Sequence, residues 1–256
     1  MLITTIPPRK PRSSTIHPEI TRLPSLSLRR RFVRLLVNQL ARFLTWAFTN
    51  TQVEGLGNLP SQGPAIIVIN HLGDADLVIG LAVSPVTVET FAKAELYDYP
   101  ILGKLMDSYG VIWVHRGRPD RKAIRTALKA LAERRIVGIA PEGRESLTGS
   151  LEEGTGGAAY LALKADAPIV PVTITGTENT RIYSNMKRLR RTVVVLKIGP
   201  LFRLEPHPDF RQAIRTGTDI IMHKLASQLP SEYRGVYSMA REGADETLGQ
   251  QKRSEL

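Results

Sequence analysis

Six short apolar runs, rich in β-branched residues, punctuate residues 64–198, and helix-forming stretches separate them. The runs are PAIIVIN (64–70), VETFA (88–92), VIWVH (111–115), IVGIA (136–140), IVPVTIT (169–175) and TVVVLKI (192–198). Helical texture fills 75–83, 118–134, 156–164 and 210–229. A strand that reads as a continuous apolar run is covered on both faces, and alternation with helices implies parallel crossovers. The pattern predicts an α/β fold with a mixed, largely parallel sheet flanked by helices. Pro171 interrupts the fifth run. It cannot donate to a ladder, so it predicts an edge or bulged position.

Charge is the second constraint. The chain carries 35 Lys/Arg against 24 Asp/Glu, a net +11. That balance points to a polyanionic partner, either nucleic acid or an anionic membrane surface. Residues 1–50 hold nine of the basic residues and one acid, Glu19, so +8 of the excess sits there. Prolines 7, 8, 11, 18 and 24 make residues 1–26 read as a flexible basic arm. Residues 27–50 form an N-terminal amphipathic helix. Phe32, Leu35, Leu36, Leu40 and Phe43 recur at helical spacing, while Arg34, Asn38 and Arg42 line the opposite side. Residues 51–237 form the α/β domain, and 238–256 a loose polar tail.

The charge-free runs in that helix, 35–41 and 43–50, are too short to span a bilayer, which needs about 20 residues. The favoured reading is a helix lying in the membrane interface, arginines at headgroup depth and Phe/Leu/Trp among acyl chains. That would place the chain on the cytoplasmic face of the cell membrane as a peripheral or monotopic protein. Packing on its own domain is the main alternative. Binding to nucleic acid is the least favoured use. Cysteine is absent, which removes disulfides, thiolate metal sites and cysteine nucleophiles, and fits a reducing compartment.

Chemistry in such a fold collects where strands end. The first run exits into NHLGDAD (70–76), with His71 at the strand end and Asp76 five residues on. In one continuous helix those side chains would diverge by about 140°. Only a strand–turn–helix bend, which Gly73 permits, folds the carboxylate onto the imidazole to make a general base. Asp74 is a rival partner, well placed to cap the following helix. The later junctions deliver Arg116, Arg118 and Arg121, then Glu142, Gly143, Arg144 and Ser146. Arginines at strand exits beside a His–Asp base suit an anion such as phosphate.

These blocks carry a resemblance. NHLGDAD resembles the NHxxxxD block of the glycerolipid acyltransferase family, that of bacterial 1-acylglycerol-3-phosphate acyltransferases. GVIWVHRG, PEGRES and IVPVTI resemble its later blocks in order and spacing, and the likeness covers roughly residues 50–235. The resemblance implies acyl transfer from acyl-CoA or acyl carrier protein to lysophosphatidic acid. Glycerol 3-phosphate or a lyso-aminolipid would be the alternative acceptor. It also implies His71 as base and Asp76 as its orienting partner. Asn70, Arg116, Glu142, Gly143, Arg144 and Ser146 would line the acceptor site, and Pro171 would border the acyl site. One departure stands out. The family block reads Glu-Gly-Thr-Arg-Ser, whereas Arg144 and Glu145 follow Glu142-Gly143 here.

Neither a metal nor a cofactor is expected, since His17, His115, His207 and His223 are scattered and read as incidental. There is no G-x-S-x-G, so a serine nucleophile is not expected either. The basic run at Arg181, Lys187, Arg188, Arg190 and Arg191 reads as a loop that touches headgroups or coenzyme A phosphates, or is simply solvated. A non-catalytic basic protein docking on membranes or RNA is the rival from another class.

Overall fold

The computed structural model describes residues 19–115 and 120–241. In chain order the main elements are α1 (Leu28–Phe48), β1 (Thr49–Glu54), β2 (Ala65–Ile69), α2 (Ala75–Val83) and β3 (Val88–Lys93). Then come α3 (Leu102–Tyr109), β4 (Ile112–Val114), α4 (Arg121–Ala132), β5 (Ile136–Ile139) and α5 (Gly157–Ala165). The set closes with β6 (Ile169–Thr175), α6 (Asn179–Lys187), β7 (Thr192–Ile198) and α7 (Phe210–Gln228). All six apolar runs are strands. β1 is a seventh, whose polar TNTQVE sequence gave no strand signal.

The strands form one sheet in the order β1-β7-β6-β2-β5-β3-β4. β6, β2, β5, β3 and β4 are parallel, and the sheet reverses once, where β7 pairs antiparallel with β6. Ile66, Val68, Val137 and Ile169 pack on one face beneath α4, α5 and α7, with Leu131, Leu161, Met222 and Leu225. Ile67, Val170, Val172, Ile174 and Leu196 point the other way and meet Ile79 of α2. Both faces are covered, as continuous apolar strands require.

Pro171 corrects part of its expectation. It lies in an interior strand, between β2 and β7, not at an edge. Gly199 N–H still donates to Pro171 O at 2.8 Å, but the return bond cannot form. Pairing shifts by one residue between Val172–Ile198 and the Ile169–Phe202 bridge, so the strand facing the proline has slack there.

Two findings concern the N-terminal region. The end of the stretch read as a flexible arm is packed: Ile20 and Pro24 are buried, and Thr21 Oγ1 donates to Trp113 O at 3.0 Å. Arg135 also donates to Pro24 O at 2.7 Å. Residues 1–18 and 242–256 lie outside the described residues, and 235–241 form a short 3-10 helix.

The second finding is the orientation of α1, which turns its charged side inward. Arg34 is 5% exposed and pairs with buried Glu89 at 2.7 Å, while its Nε donates to Tyr109 O. Arg135 shares the same carboxylate at 3.2 Å. Outward point Phe32, Leu35, Leu36, Leu40, Phe43 and Trp46, each more than half exposed. Arg191, read as part of a basic loop, donates to Thr49 O and lies over the Trp46 ring, fastening the end of α1. Among the described residues no helix is long and apolar enough to cross a membrane.

Candidate active site

His71 leaves the end of β2, and Asp76 sits in the first turn of α2. The bend between them brings His71 Nδ1 to 2.8 Å from Asp76 Oδ2. The same oxygen accepts the Leu72 and Gly73 N–H groups at 2.7 and 3.0 Å. An ionised carboxylate held by two main-chain donors takes its third bond from Nδ1–H, which leaves the basic lone pair on Nε2. Asp76 is 5% exposed, so water competes little for it, whereas the imidazole is about a quarter exposed. Asp74 occupies the N-cap position of α2 without a capping bond, contrary to expectation. Its carboxylate instead accepts from the Tyr183 hydroxyl at 2.9 Å.

The remaining motif residues divide into supports and bystanders. Asn70 is buried, and its amide is committed at both ends to the main chain of Ile174, at 2.9 and 2.8 Å. It extends the β2–β6 ladder by one side chain and fixes where His71 begins. Glu142 Oε1 accepts the His71 N–H at 3.1 Å, and Oε2 accepts the Glu152 N–H at 2.9 Å. Burial pushes the Glu142 carboxyl above the ordinary glutamate value, and the Glu152 and His71 N–H donors only partly offset it. Ser146 N–H donates to His71 O at 2.7 Å. Glu142 and Ser146 therefore brace the histidine's backbone and are not on the cavity wall.

Arg144 departs furthest from expectation. Its Nε and Nη2 both grip Glu152 Oε2, at 3.0 and 2.7 Å, outside the cavity. Leu147 N–H and Arg144 together hold the Glu152 carboxyl below its ordinary value. Glu145 takes the place on the cavity wall. Pro171 does not border the cavity: it is buried in β6 beside Ile169, whose side chain packs on the opposite face of the sheet. Arg116 lies outside the described residues.

The cavity itself holds about 740 Å³. His71, Asp76, Asn70 and Gly143 open onto it, and Ile67, Ile69, Leu81, Val86, Val172 and Leu196 form much of its apolar wall. Val88 lies level with the start of β2 through their common partner Ile136, so the wall runs about 20 Å along the strands up to His71. Among the described residues no group of three or more His, Asp and Glu is placed to hold a metal ion.

A family model for an acyltransferase domain matches residues 50–175. The chain belongs to the glycerolipid acyltransferase family. A chloroplastic 1-acyl-sn-glycerol-3-phosphate acyltransferase of Arabidopsis thaliana is 30% identical over 152 residues, 58% of this chain and 42% of that protein. The Bacillus subtilis enzyme of the same name is 32% identical over 121 residues, 46% of this chain and 59% of its own. This chain thus spans about half the length of the curated relatives it matches. The crystal structure of PlsC, the 1-acyl-sn-glycerophosphate acyltransferase of Thermotoga maritima, has the same fold, with a TM-score of 0.61 at 24% identity, covering 78% of this chain and 80% of that one.

The acyltransferase domain also holds a second His–Asp pair that sequence reading passed over. His115 Nδ1 lies 3.1 Å from Asp120 Oδ2, which accepts the His115 N–H as well. Asp120 Oδ1 caps α4 by accepting the Lys122 and Ala123 N–H groups. Burial pushes the Asp120 carboxyl up, but the donors from His115, Ala123 and Lys122 outweigh it and leave the value below ordinary. Both residues line the cavity. The signal was present: His115 and Asp120 repeat the spacing of His71 and Asp76.

Proposed function

We propose that this domain moves a fatty acyl group from a thioester, acyl-CoA or acyl carrier protein, to the free hydroxyl of lysophosphatidic acid. The observation that carries the proposal is the oriented His71–Asp76 pair opening onto a deep apolar cavity. His71 Nε2 takes the hydroxyl proton as that oxygen attacks the thioester carbonyl. Asp76 stabilises the imidazolium that forms. When the tetrahedral intermediate collapses, the C–S bond breaks and His71 returns the proton to the leaving thiolate. One C–O bond replaces one C–S bond, and no acyl-enzyme is needed.

The relatives' names supply the acceptor, and the cavity wall suits the acyl chain. Arg116 follows His115 in the sequence, and on the family resemblance we assign it to the acceptor phosphate. Arg144, engaged by Glu152, is not assigned to it. The outward apolar face of α1, with the basic residues around it, would seat the protein on an anionic bilayer at the cytoplasmic face, where both substrates reside.

The test is thiol release from acyl-CoA that depends on added lysophosphatidic acid, with the product identified by mass spectrometry. His71→Ala should lower turnover by about 10²–10⁴-fold with the fold intact. Retention of a tenth of the wild-type rate by His71→Ala would overturn the mechanism. Absence of any lysolipid-dependent release by the wild type would overturn the function.

A further inference from the structure

The bend that delivers His71 and the loop after β5 are tied together by one side chain that belongs to neither motif. Asn179, the first residue of α6, accepts the Asp74 N–H on Oδ1 at 2.9 Å and donates from Nδ2 to Glu145 Oε1 at 2.7 Å. These partners fix the amide's orientation, because an N–H can only donate and a carboxylate only accept. The bend presses closely on the same turn. A Cβ on Gly73 would lie 2.5 Å from Thr177 O and 2.6 Å from Asn179 Oδ1. Gly73 also supplies one of the two main-chain donors that hold Asp76. A shift of the turn at 177–179 would therefore be felt at the carboxylate that orients His71.

Glu145 occupies the position where the family block has arginine, and it faces the cavity. Two roles are open to a carboxylate there: a charge presented to substrate, or an acceptor that holds the Asn179 amide. The short bond to a neutral amide favours the second. We propose that Asn179 and Glu145 are positioning residues, and that the chain of contacts Glu145–Asn179–Asp74 holds the His71–Asp76 bend at the cavity wall. This rests on the acyl-transfer reading, since turnover is its readout.

Displacing a catalytic group by about 1 Å can cost 10²-fold in rate. Partial loosening by Glu145→Ala or Asn179→Leu should lower kcat about tenfold each, with the acceptor KM unchanged. Glu145→Gln keeps an oxygen for Asn179 and should stay within about twofold of wild type. The double variant Glu145→Ala/Asn179→Leu should be no slower than the slower single, because one chain of contacts is broken once. A loss in Glu145→Gln as large as in Glu145→Ala, or a change in acceptor KM in place of kcat, would show that the charge acts on substrate and overturn the proposal. So would a lowered melting temperature with unchanged kcat, or additive losses in the double variant. Failure of the acyl-transfer reading is distinct: wild type itself would show no lysolipid-dependent turnover.

Discussion

Helices α1 and α7 are similar in length, 21 and 19 residues, and face the domain in opposite ways. α7 buries Ala213, Gly217, Ile221, Met222, Leu225 and Ala226, the apolar stripe of an ordinary surface helix. α1 buries Arg34 and Ala41 and leaves its large apolar side chains outside. One helix is held by packing and the other by a buried ion pair, main-chain hydrogen bonds and a narrow inner stripe around Val37. Amphipathic spacing alone therefore does not say which side of a helix is inside. The chemistry of the surface it meets decides that.

The largest effects should test this contrast directly. Met222→Ala in α7 and Arg34→Ala in α1 should each destabilise the fold by about 3 kcal/mol, the first through a cavity and the second by leaving Glu89 short of a partner. Urea unfolding measures both. A loss under about 1 kcal/mol for Arg34→Ala would show that α1 is not held by its charges.

The outer face of α1 should respond in the reverse sense. Phe32, Phe43 and Trp46 changed together to Ser should alter stability by no more than about 0.5 kcal/mol per site. The same variant should lose sedimentation with vesicles containing anionic lipid, and wild-type binding should weaken with salt. Unfolding of the triple variant would place that face in the core.

The smallest effect concerns Glu142, a buried carboxyl braced by main-chain donors where Glu89 is braced by arginines. Its folded value lies above the ordinary one, so the unfolded chain ionises first as pH rises. Stability should therefore fall as the pH rises from the ordinary glutamate value through the raised one. Glu142→Gln, which cannot ionise, should flatten the slope of the urea midpoint against pH there. An unchanged slope would assign the dependence to other groups.

The sheet was legible because both of its faces are covered, which makes strands apolar throughout. β1 was not, because Thr49–Glu54 lies at the sheet edge and pairs only with β7, so its exposed side chains carry no pattern. The His71–Asp76 contact followed from geometry, since two residues at that spacing meet only across a bend. Glu142 and Ser146 were expected at the acceptor and instead brace the His71 backbone, while Asn70 lines the cavity with its amide spent on Ile174. Each acts on backbone groups far away in sequence, and a motif shows which residue is present without showing whether it faces substrate or neighbour. Arg144 was misread for the same reason, because its partner Glu152 lies across a loop whose path depends on φ +74° at Gly143. Asn179 lay in a stretch read only for its basic residues.

Asn38 belongs to α1 and lines the cavity, one turn after Arg34 and on the same inward side. The helix whose outer surface carries Phe32, Phe43 and Trp46 is thus also part of the cavity's wall. At that point the partition between the interior space and whatever lies against the outer surface is a single helix, about 10 Å thick. Its inner and outer sides can be altered independently: residue 38 tunes the room, and residues 32, 43 and 46 tune the ground on which it stands.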